Sequence, residues 1–201
     1  MAAVAAAWPI RGHAQGGARP ADAQKAISEL YAGLQAAMQM GSSGAPFRQR
    51  FDRLAPVIDR VFSLDAILRT SVGLRWSSLD EAARRELFSV FRTFTIASYT
   101  ANFDGTGPKL QVLPQTRSAG EDLIVESRLI PANGDPVRID YVMHGGPSGP
   151  QVVDVLLNGS ISRVAVQRSD FRALLASGSA TTLIASLRQK VSDLSGGAMR
   201  S

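Results

Sequence analysis

The sequence contains no cysteine and only two histidines. The absence of cysteine excludes disulfides, thiolate nucleophiles and cysteine metal sites. His13 lies in the N-terminal segment and His144 in a Gly/Pro-rich turn, so a histidine-based metal centre is excluded as well. No run of about 18 apolar residues is present, and the sequence therefore offers no candidate for a membrane-spanning helix. Apolar residues nevertheless make up 45% of the 201 residues, which is typical of one folded domain with a substantial core.

The net charge of +5 and the pI of about 10.2 come almost entirely from arginine. The arginines are spread along the chain and interleaved with acids, as in "EAARRE" at 81–86. A nucleic-acid site would show a denser basic run. The pattern favours a solvated basic surface and no nucleic-acid partner, and it is compatible with transient contact with an anionic membrane surface.

The first 20 residues form a leader, either a signal peptide or a disordered segment. Ala2 to Ile10 resembles a short signal-peptide core, and Gly12-His13-Ala14 offers small residues for cleavage before Gln15. No basic residue precedes the apolar run, and Pro9 and Arg11 lie between it and the cleavage position. We favour export, which indicates a periplasmic location.

The periodicity of apolar residues changes twice along the remaining chain. It predicts helices at 23–40, 47–62, 65–72 and from Ser78 to about Asn102, four antiparallel strands within 109–157, and helices at 161–176 and 180–194. This order predicts an α+β fold in which a bent four-stranded antiparallel sheet is wrapped by about five to six helices. We expect a single domain over 21–195 and a frayed tail at 196–201.

The longest predicted helix carries an unusually wide apolar stripe. Its apolar side chains are rich in aromatics and include Leu87, Phe88, Val90, Phe91, Phe94, Ile96, Tyr99 and Phe103. A surface helix normally shows one narrower stripe. The helix is therefore either buried on most sides or faces a cavity with part of its surface, and Trp76 is predicted to pack where the preceding short helix meets it.

Three strand acids are the candidates for acid–base chemistry. Glu126 and Asp140 alternate with apolar neighbours, so they are interpreted as solvent-facing partners of Arg128 and Arg138 on adjacent strands. This reading leaves only one acid in an apolar setting.

Asp154 interrupts the apolar run "VVDVLL" and requires a partner if it is buried. Arg163 or Arg168 on the following helix is the predicted partner, in a structural role. The alternative is an enzyme with a cone-shaped α+β pocket, in which Asp154 and Tyr141 would form the polar pair. No catalytic residue, metal or cofactor is predicted.

Two blocks of the sequence resemble the MlaC / toluene-tolerance auxiliary family. The first block carries its matching residues in order at Phe62, Asp65, Gly73, Trp76, Ser78, Phe88, Phe91 and Tyr99. The second block matches at Asp154, Gly159, Phe171 and Gly178. The aromatic run that usually precedes the strand Asp is replaced by "PQVV" at 150–153, and this departure is similar to hopanoid-biosynthesis-associated members of the family.

The resemblance implies a periplasmic lipid-binding component of an ABC-type lipid transport system. It implies lipid tails held between sheet and helices, with a phospholipid or a hopanoid as ligand. It also implies an inner-membrane ABC transporter complex and an outer-membrane-side lipid complex as partners. We expect the carrier to be monomeric. A rival interpretation is an envelope adaptor that binds protein and no lipid.

Pattern and resemblance together predict an apolar cavity between the layers. The positions predicted to line it are Phe91, Phe94, Val125, Leu129, Ile139, Tyr141, Met143, Val153, Val155, Ile161, Phe171, Leu174 and Leu183.

Overall fold

The computed structural model describes residues 19–105 and 107–199. The predicted apolar core at Ala2–Ile10 and the cleavage position before Gln15 lie outside the described residues. Within the described part, none of the helices combines the length and the apolar character that crossing a membrane requires.

The described residues form an α+β fold, as predicted, with six α-helices, one 3-10 helix and five strands. In chain order these are α1 (Pro20–Ser42), α2 (Phe47–Val61), α3 (Leu64–Val72), the 3-10 helix (Gly73–Ser78), α4 (Glu81–Asn102), β1 (Lys109–Ala119), β2 (Asp122–Ile130), β3 (Val137–Gly146), β4 (Gly149–Leu157), β5 (Ile161–Ser162), α5 (Arg163–Leu174) and α6 (Thr181–Leu194).

The strands form one antiparallel sheet in the order β1-β2-β3-β4-β5. The four predicted strands are present, and β5 adds two residues beside the end of β4. The register shifts between Val112 and Thr116 in β1, and a second irregularity lies where β4 passes Val142 and Met143 of β3. Such bulges bend strands and increase twist, so the sheet can curve around the helices.

Helix α1 crosses the inner face of the sheet. Its apolar stripe, which includes Ile27, Leu30 and Leu34, is fully buried, and the helix contacts β1, β2 and β4. The Gln24 side chain donates hydrogen bonds to the Pro114 carbonyl at 2.8 Å and to Thr116 Oγ1 at 2.9 Å. These bonds hold the irregular segment of β1 against the helix.

The start of α4 differs from the predicted capping box at Ser78 and Glu81. Ser78 instead ends the 3-10 helix, and Asp80 is the N-cap, with its carboxylate accepting the Ala83 N–H at 2.8 Å. An Asp at this position is an equally good cap, so sequence could not separate the two candidates by residue type alone.

Trp76 lies in the 3-10 helix that joins α3 to α4, where the sequence places it. The guanidinium groups of Arg69 from α3 and Arg84 from α4 lie 5.5 and 5.8 Å from its ring centroid. Arg84 Nε also donates to the Trp76 carbonyl at 3.1 Å. The indole therefore links the two helices through cation–π contacts and packing.

The predicted frayed tail begins with an ordered contact. The Met199 N–H donates to Ser195 Oγ at 3.0 Å, and the Met199 side chain packs against the core. Positions 200 and 201 lie outside the described residues.

Candidate functional site: a cavity between sheet and helices

A cavity of about 370 Å³ lies between the inner face of the sheet and helices α1, α3, α4 and α5. This volume falls within the usual range for small-molecule sites, roughly 300–1,000 Å³. The lining is mainly aliphatic and aromatic, and it comprises Tyr31, Phe62, Leu64, Ile67, Phe91, Phe94, Thr95, Ser98, Tyr99, Asn102, Phe103, Leu110, Leu129, Ile139, Tyr141, Asp154, Val155, Leu157, Arg163, Val164 and Gln167.

Helix α4 supplies the largest share of the lining from one of its faces. That face carries Phe91, Phe94, Thr95, Ser98, Tyr99 and Asn102, at spacings of three and four residues, and Phe103 follows at the C-cap. The opposite side, which includes Ile96 and Ala97, is fully buried in the core, and so is Leu87, one turn before Phe91 on the cavity face. Both explanations of the wide apolar stripe therefore hold, because one side of the helix is core and the other faces the cavity.

Two small residues on α4 make room in the cavity. The Thr95 hydroxyl donates to the Phe91 carbonyl at 3.0 Å, and the Ser98 hydroxyl donates to the Phe94 carbonyl at 2.8 Å. Their hydroxyl donors are thus used within the helix. Short side chains with satisfied donors leave volume between larger aromatic neighbours and add little polarity to the wall.

The inner face of the sheet divides into an open and a closed part. Leu129, Ile139 and Tyr141 line the cavity. Val125, directly opposite Tyr141 in the β2–β3 register, and Met143 are fully buried in the core. Along this face, one end of the sheet therefore packs directly against helices, and the other end borders the cavity.

The three tyrosines of the chain, Tyr31, Tyr99 and Tyr141, all line the cavity. The Tyr31 and Tyr141 rings meet edge to face with centroids 6.0 Å apart, and Tyr31 Oη lies 2.6 Å from Ser127 Oγ. Burial raises the pKa of all three phenols above the ordinary value. They therefore present neutral hydroxyls at neutral pH.

The predicted lining positions fall into two groups. Those that line the cavity are Phe91, Phe94, Leu129, Ile139, Tyr141 and Val155. Those that lie elsewhere are Val125, Met143, Val153, Ile161, Phe171, Leu174 and Leu183.

Val153 is displaced from the predicted face by the irregularity in β4. Met143 pairs with Val152 and Val142 pairs with Asp154, so Val153 is the extra residue of a bulge. Val152 is consequently the fully buried residue, while Val155 pairs with Tyr141 and lines the cavity. Strict alternation along "VVDVLL" assumes no bulge, and that assumption fails here.

Ile161 also departs from its predicted place. It belongs to β5, pairs with Leu157, and is 50% exposed. Helix α5 begins at Arg163 with Ser162 as its N-cap. The predicted helix therefore started two residues too early.

The remaining helical positions belong to the core next to the cavity. Phe171 is buried and meets Phe91 edge to face at 6.3 Å between centroids. Leu183 on α6 is fully buried, and Leu174 packs against the same core. These side chains support the α4 wall from behind and do not border the empty space.

Asp154 joins β4 to the start of α5, although its partners differ from the predicted arginines. Its carboxylate accepts hydrogen bonds from the Val164 N–H at 3.1 Å, the Ser162 hydroxyl at 2.5 Å and the Val155 N–H at 2.7 Å. Among the described residues it has no ion pair with Arg163 or Arg168. Backbone N–H groups at a helix N-terminus satisfy a carboxylate as well as a cation does.

The outer face of the sheet carries a charge cluster, which we define as Arg117, Glu126, Arg138 and Asp140. The Asp140 side chain is 0% exposed and is held by Arg138 Nε and Nη2 at 2.9 and 2.7 Å, with Arg117 Nη2 at 3.3 Å. Both arginines also contact Glu126. The prediction that Asp140 faces solvent is wrong, because the arginine side chains cover it. The second arginine that pairs with these acids is Arg117 and not the predicted Arg128.

The enzyme alternative requires Asp154 and Tyr141 in one pocket, and both do line the cavity. The Asp154 oxygens, however, are occupied by the three donors from Val155, Ser162 and Val164. Across the described residues there is also no cluster of three or more His, Asp or Glu side chains that would hold a metal ion. This geometry gives Asp154 a capping role.

Several lining residues were not among the predicted positions. The apolar stripe of the longest helix includes Tyr99 and Phe103, and Arg163 is predicted only as a partner of Asp154, whereas no role is predicted for Tyr31. The α4 members could have been found by extending the helical face from Phe91 through Ser98 to Asn102. No sequence pattern separates Arg163 from the other arginines, because its place depends on how α5 meets β4.

The sequence and the fold were compared with known protein families and solved structures. The family model described as MlaC protein matches residues 28–189. A solved structure of similar fold is the phospholipid-binding protein from Ralstonia solanacearum, determined in complex with a phospholipid. It is 20% identical, the match covers 87% of this chain and 97% of that chain, and the TM-score is 0.69. At this identity the likeness is one of fold. No curated protein matches the chain.

Proposed function

This chain belongs to the MlaC family, and from that premise we propose that it is a lipid carrier whose ligand keeps its acyl chains in the cavity between the sheet and the helices. The observation that carries the proposal is the cavity itself, with its mainly aliphatic and aromatic lining. A cavity of this kind in a well-packed domain is costly to keep empty, because lining atoms lack partners. An apolar ligand supplies them.

The likeness to a phospholipid-binding protein supports a lipid ligand over other apolar molecules. The two chains share a fold over most of their lengths, which supports a ligand of the same chemical class in the cavity of this chain. We therefore propose a phospholipid as ligand, with a hopanoid-type lipid as the alternative that the sequence raised.

Energetics explain why a carrier of this kind needs no catalytic group. Burying acyl chain is worth about 0.8 kcal/mol per CH₂. Two chains with roughly 30 CH₂ in total represent on the order of 24 kcal/mol that must be shielded from water in transit. A bilayer shields the chains equally well, so the carrier does not need to outcompete the membrane. It needs a dry cavity and a partner that controls loading and release.

The proposed setting follows from the family and from the N-terminal pattern. We propose that the carrier is a periplasmic monomer that moves lipid between the two membranes as part of an ABC-type transport system. Its partners would be an inner-membrane ABC transporter complex and an outer-membrane-side lipid complex. Contact with the membrane surface would be transient, in keeping with the net charge of +5.

Mass spectrometry of organic extracts tests the proposal directly. Protein purified without detergent from a bacterial host should carry lipid at a substantial fraction of its molar amount. Repeated extracts with lipid below about one-tenth of the protein would contradict a carrier and favour an adaptor that binds protein alone. Turnover of an apolar substrate, lost in Asp154→Asn, would instead favour an enzyme.

A further inference from the structure

Only two charged residues, Asp154 and Arg163, line the cavity among the residues that the structure describes. Both lie where β4 and β5 meet the start of α5. A charge at the wall of an apolar cavity contacts whatever polar group the ligand brings. These two side chains are therefore the candidates for head-group recognition.

Asp154 is already occupied. Its two oxygens accept hydrogen bonds from the Val155 N–H, the Ser162 hydroxyl and the Val164 N–H. The Ser162 hydroxyl also accepts the Ala165 N–H at 2.9 Å, so the Val164 and Ala165 N–H groups at the start of α5 both have acceptors. Neither the carboxylate nor these backbone N–H groups is open to a ligand.

Arg163 combines a place in the cavity lining with the absence of a carboxylate partner among the described residues. Arg69, Arg92, Arg138 and others form ion pairs with carboxylates, whereas Arg163 forms none with any described residue. Its side chain is exposed and borders the cavity, so it lies at the mouth. A guanidinium in this position has its donors available for an anion.

The charge of Arg163 acts on the inside of the cavity as well. Burial raises the pKa of the Tyr99 phenol, the nearby Tyr31 raises it further, and the positive charge of Arg163 opposes the rise. Arg163 and Tyr99 both line the same cavity. A ligand with its chains beside Tyr99 therefore brings its polar end within reach of the guanidinium.

We propose that Arg163 binds the phosphate of the lipid head group and is the residue that makes the carrier prefer anionic lipids over neutral lipids with the same chains. A guanidinium donates two parallel hydrogen bonds to a phosphate, which fixes orientation and adds affinity. This inference rests on the proposed carrier function. It favours a phosphate-bearing lipid over a neutral polycyclic alcohol of the hopanoid type.

Two short-chain lipids that differ only in the phosphate provide the test. Binding of dioctanoylphosphatidic acid and of dioctanoylglycerol is measured by calorimetry on the purified full chain and its variants. We expect the wild type to bind the phosphatidic acid about tenfold more tightly, and Arg163→Gln to lose that preference while still binding dioctanoylglycerol. Arg163→Lys should recover part of it, because the charge remains without the two-pronged geometry.

Arg172→Gln is the matched control, since Arg172 is exposed on the same helix and does not line the cavity. It removes the same net charge and should keep the preference. If Arg163→Gln retains the preference, or if Arg172→Gln loses it equally, the assignment of Arg163 is overturned. Equal binding of both lipids by the wild type also overturns it, while leaving the carrier function intact.

Two further outcomes separate the proposals. Inorganic phosphate alone should not bind at concentrations that saturate with the phosphatidic acid, since the chains supply most of the affinity. Binding of inorganic phosphate as tight as that of the lipid would make this a free-anion site and would overturn the head-group assignment. Failure of the wild type to bind either lipid would contradict the carrier function itself.

Discussion

The outer face of the sheet buries charge, whereas the inner face of the same strands buries apolar groups and borders a cavity. Asp140 on the outer face is fully covered and held by two arginines. Its neighbours in sequence, Ile139 and Tyr141, line the cavity on the inner face. Adjacent residues of β3 thus face opposite environments, as the alternation of a strand requires.

The two faces differ in how completely their side chains are packed. On the outer face every charge in the cluster of Arg117, Glu126, Arg138 and Asp140 has a partner. On the inner face about 370 Å³ remains without side chains to fill it. Filling such a space usually stabilises a protein, and in the proposed function a lipid fills it.

The largest effect is expected at the closed end of the inner face. Val125→Asp places a carboxylate at a fully buried position within the core. The residue opposite it on β3 is Tyr141, so no cationic partner faces the new carboxylate across the strands. We expect a loss of about 4 kcal/mol or more in the free energy of unfolding, and failure to fold in many conditions. Urea unfolding followed by circular dichroism measures this. Near-normal stability would show that the cavity extends to Val125.

A smaller loss is expected on the outer face. Asp140→Ala removes a buried carboxylate, but Arg117 and Arg138 can turn to solvent because their side chains are 46% and 44% exposed. We therefore expect about 2 kcal/mol, below the 3–5 kcal/mol typical of a fully buried pair. Lipid content should not change. Asp135→Ala, in an exposed turn, is the control and should cost less than about 0.5 kcal/mol.

Asp154→Ala tests the junction between β4 and α5. The substitution removes an acceptor from the Ser162 hydroxyl and the Val164 N–H at the start of α5. Loss of a cap of this kind costs about 1–2 kcal/mol. Thermal unfolding should show the loss, and the preference among lipids should be unchanged. A changed preference with unchanged stability would mean that Asp154 contacts the ligand.

The smallest loss of stability is expected at the cavity-lining end of the inner face. The same substitution should cause the largest loss of bound lipid. Ile139→Asp places a charge on a partly exposed wall of the cavity, where water can solvate it. We expect a cost of about 1 kcal/mol and loss of most co-purifying lipid. Ile130→Asp, on β2 and outside the cavity lining, is the control. Failure of the Ile139 variant to fold would show that this position is packed core.

The sequence predicted the fold because its signals are local. Stripes such as Ile27, Leu30 and Leu34 on α1, and the alternation of Ile139 with Asp140 on β3, each specify one buried face without knowledge of the rest of the chain. The cavity face of α4 was visible in the same way, since Phe91 and Phe94 recur at helical spacing.

What the sequence did not predict depends on contacts between elements. The bulge at Val153 is a property of how β4 pairs with β3, and no residue type in "QVVDVLL" demands it. The donors to Asp154 come from a helix start that was placed two residues too early. Val125 and Leu129 share a face, yet only helix packing decides that one is core and the other borders a cavity.

Filling the cavity from α4 tests the central claim most directly. Ser98→Trp places a large side chain in the space that this serine leaves, whereas Ser89→Trp adds the same group to an exposed position of the same helix. We expect wild type and Ser89→Trp to carry equal molar amounts of lipid, and folded Ser98→Trp to carry less than about one-tenth of that amount. Equal lipid in all three folded proteins would contradict the account, because the chains would then lie somewhere other than between the sheet and the helices.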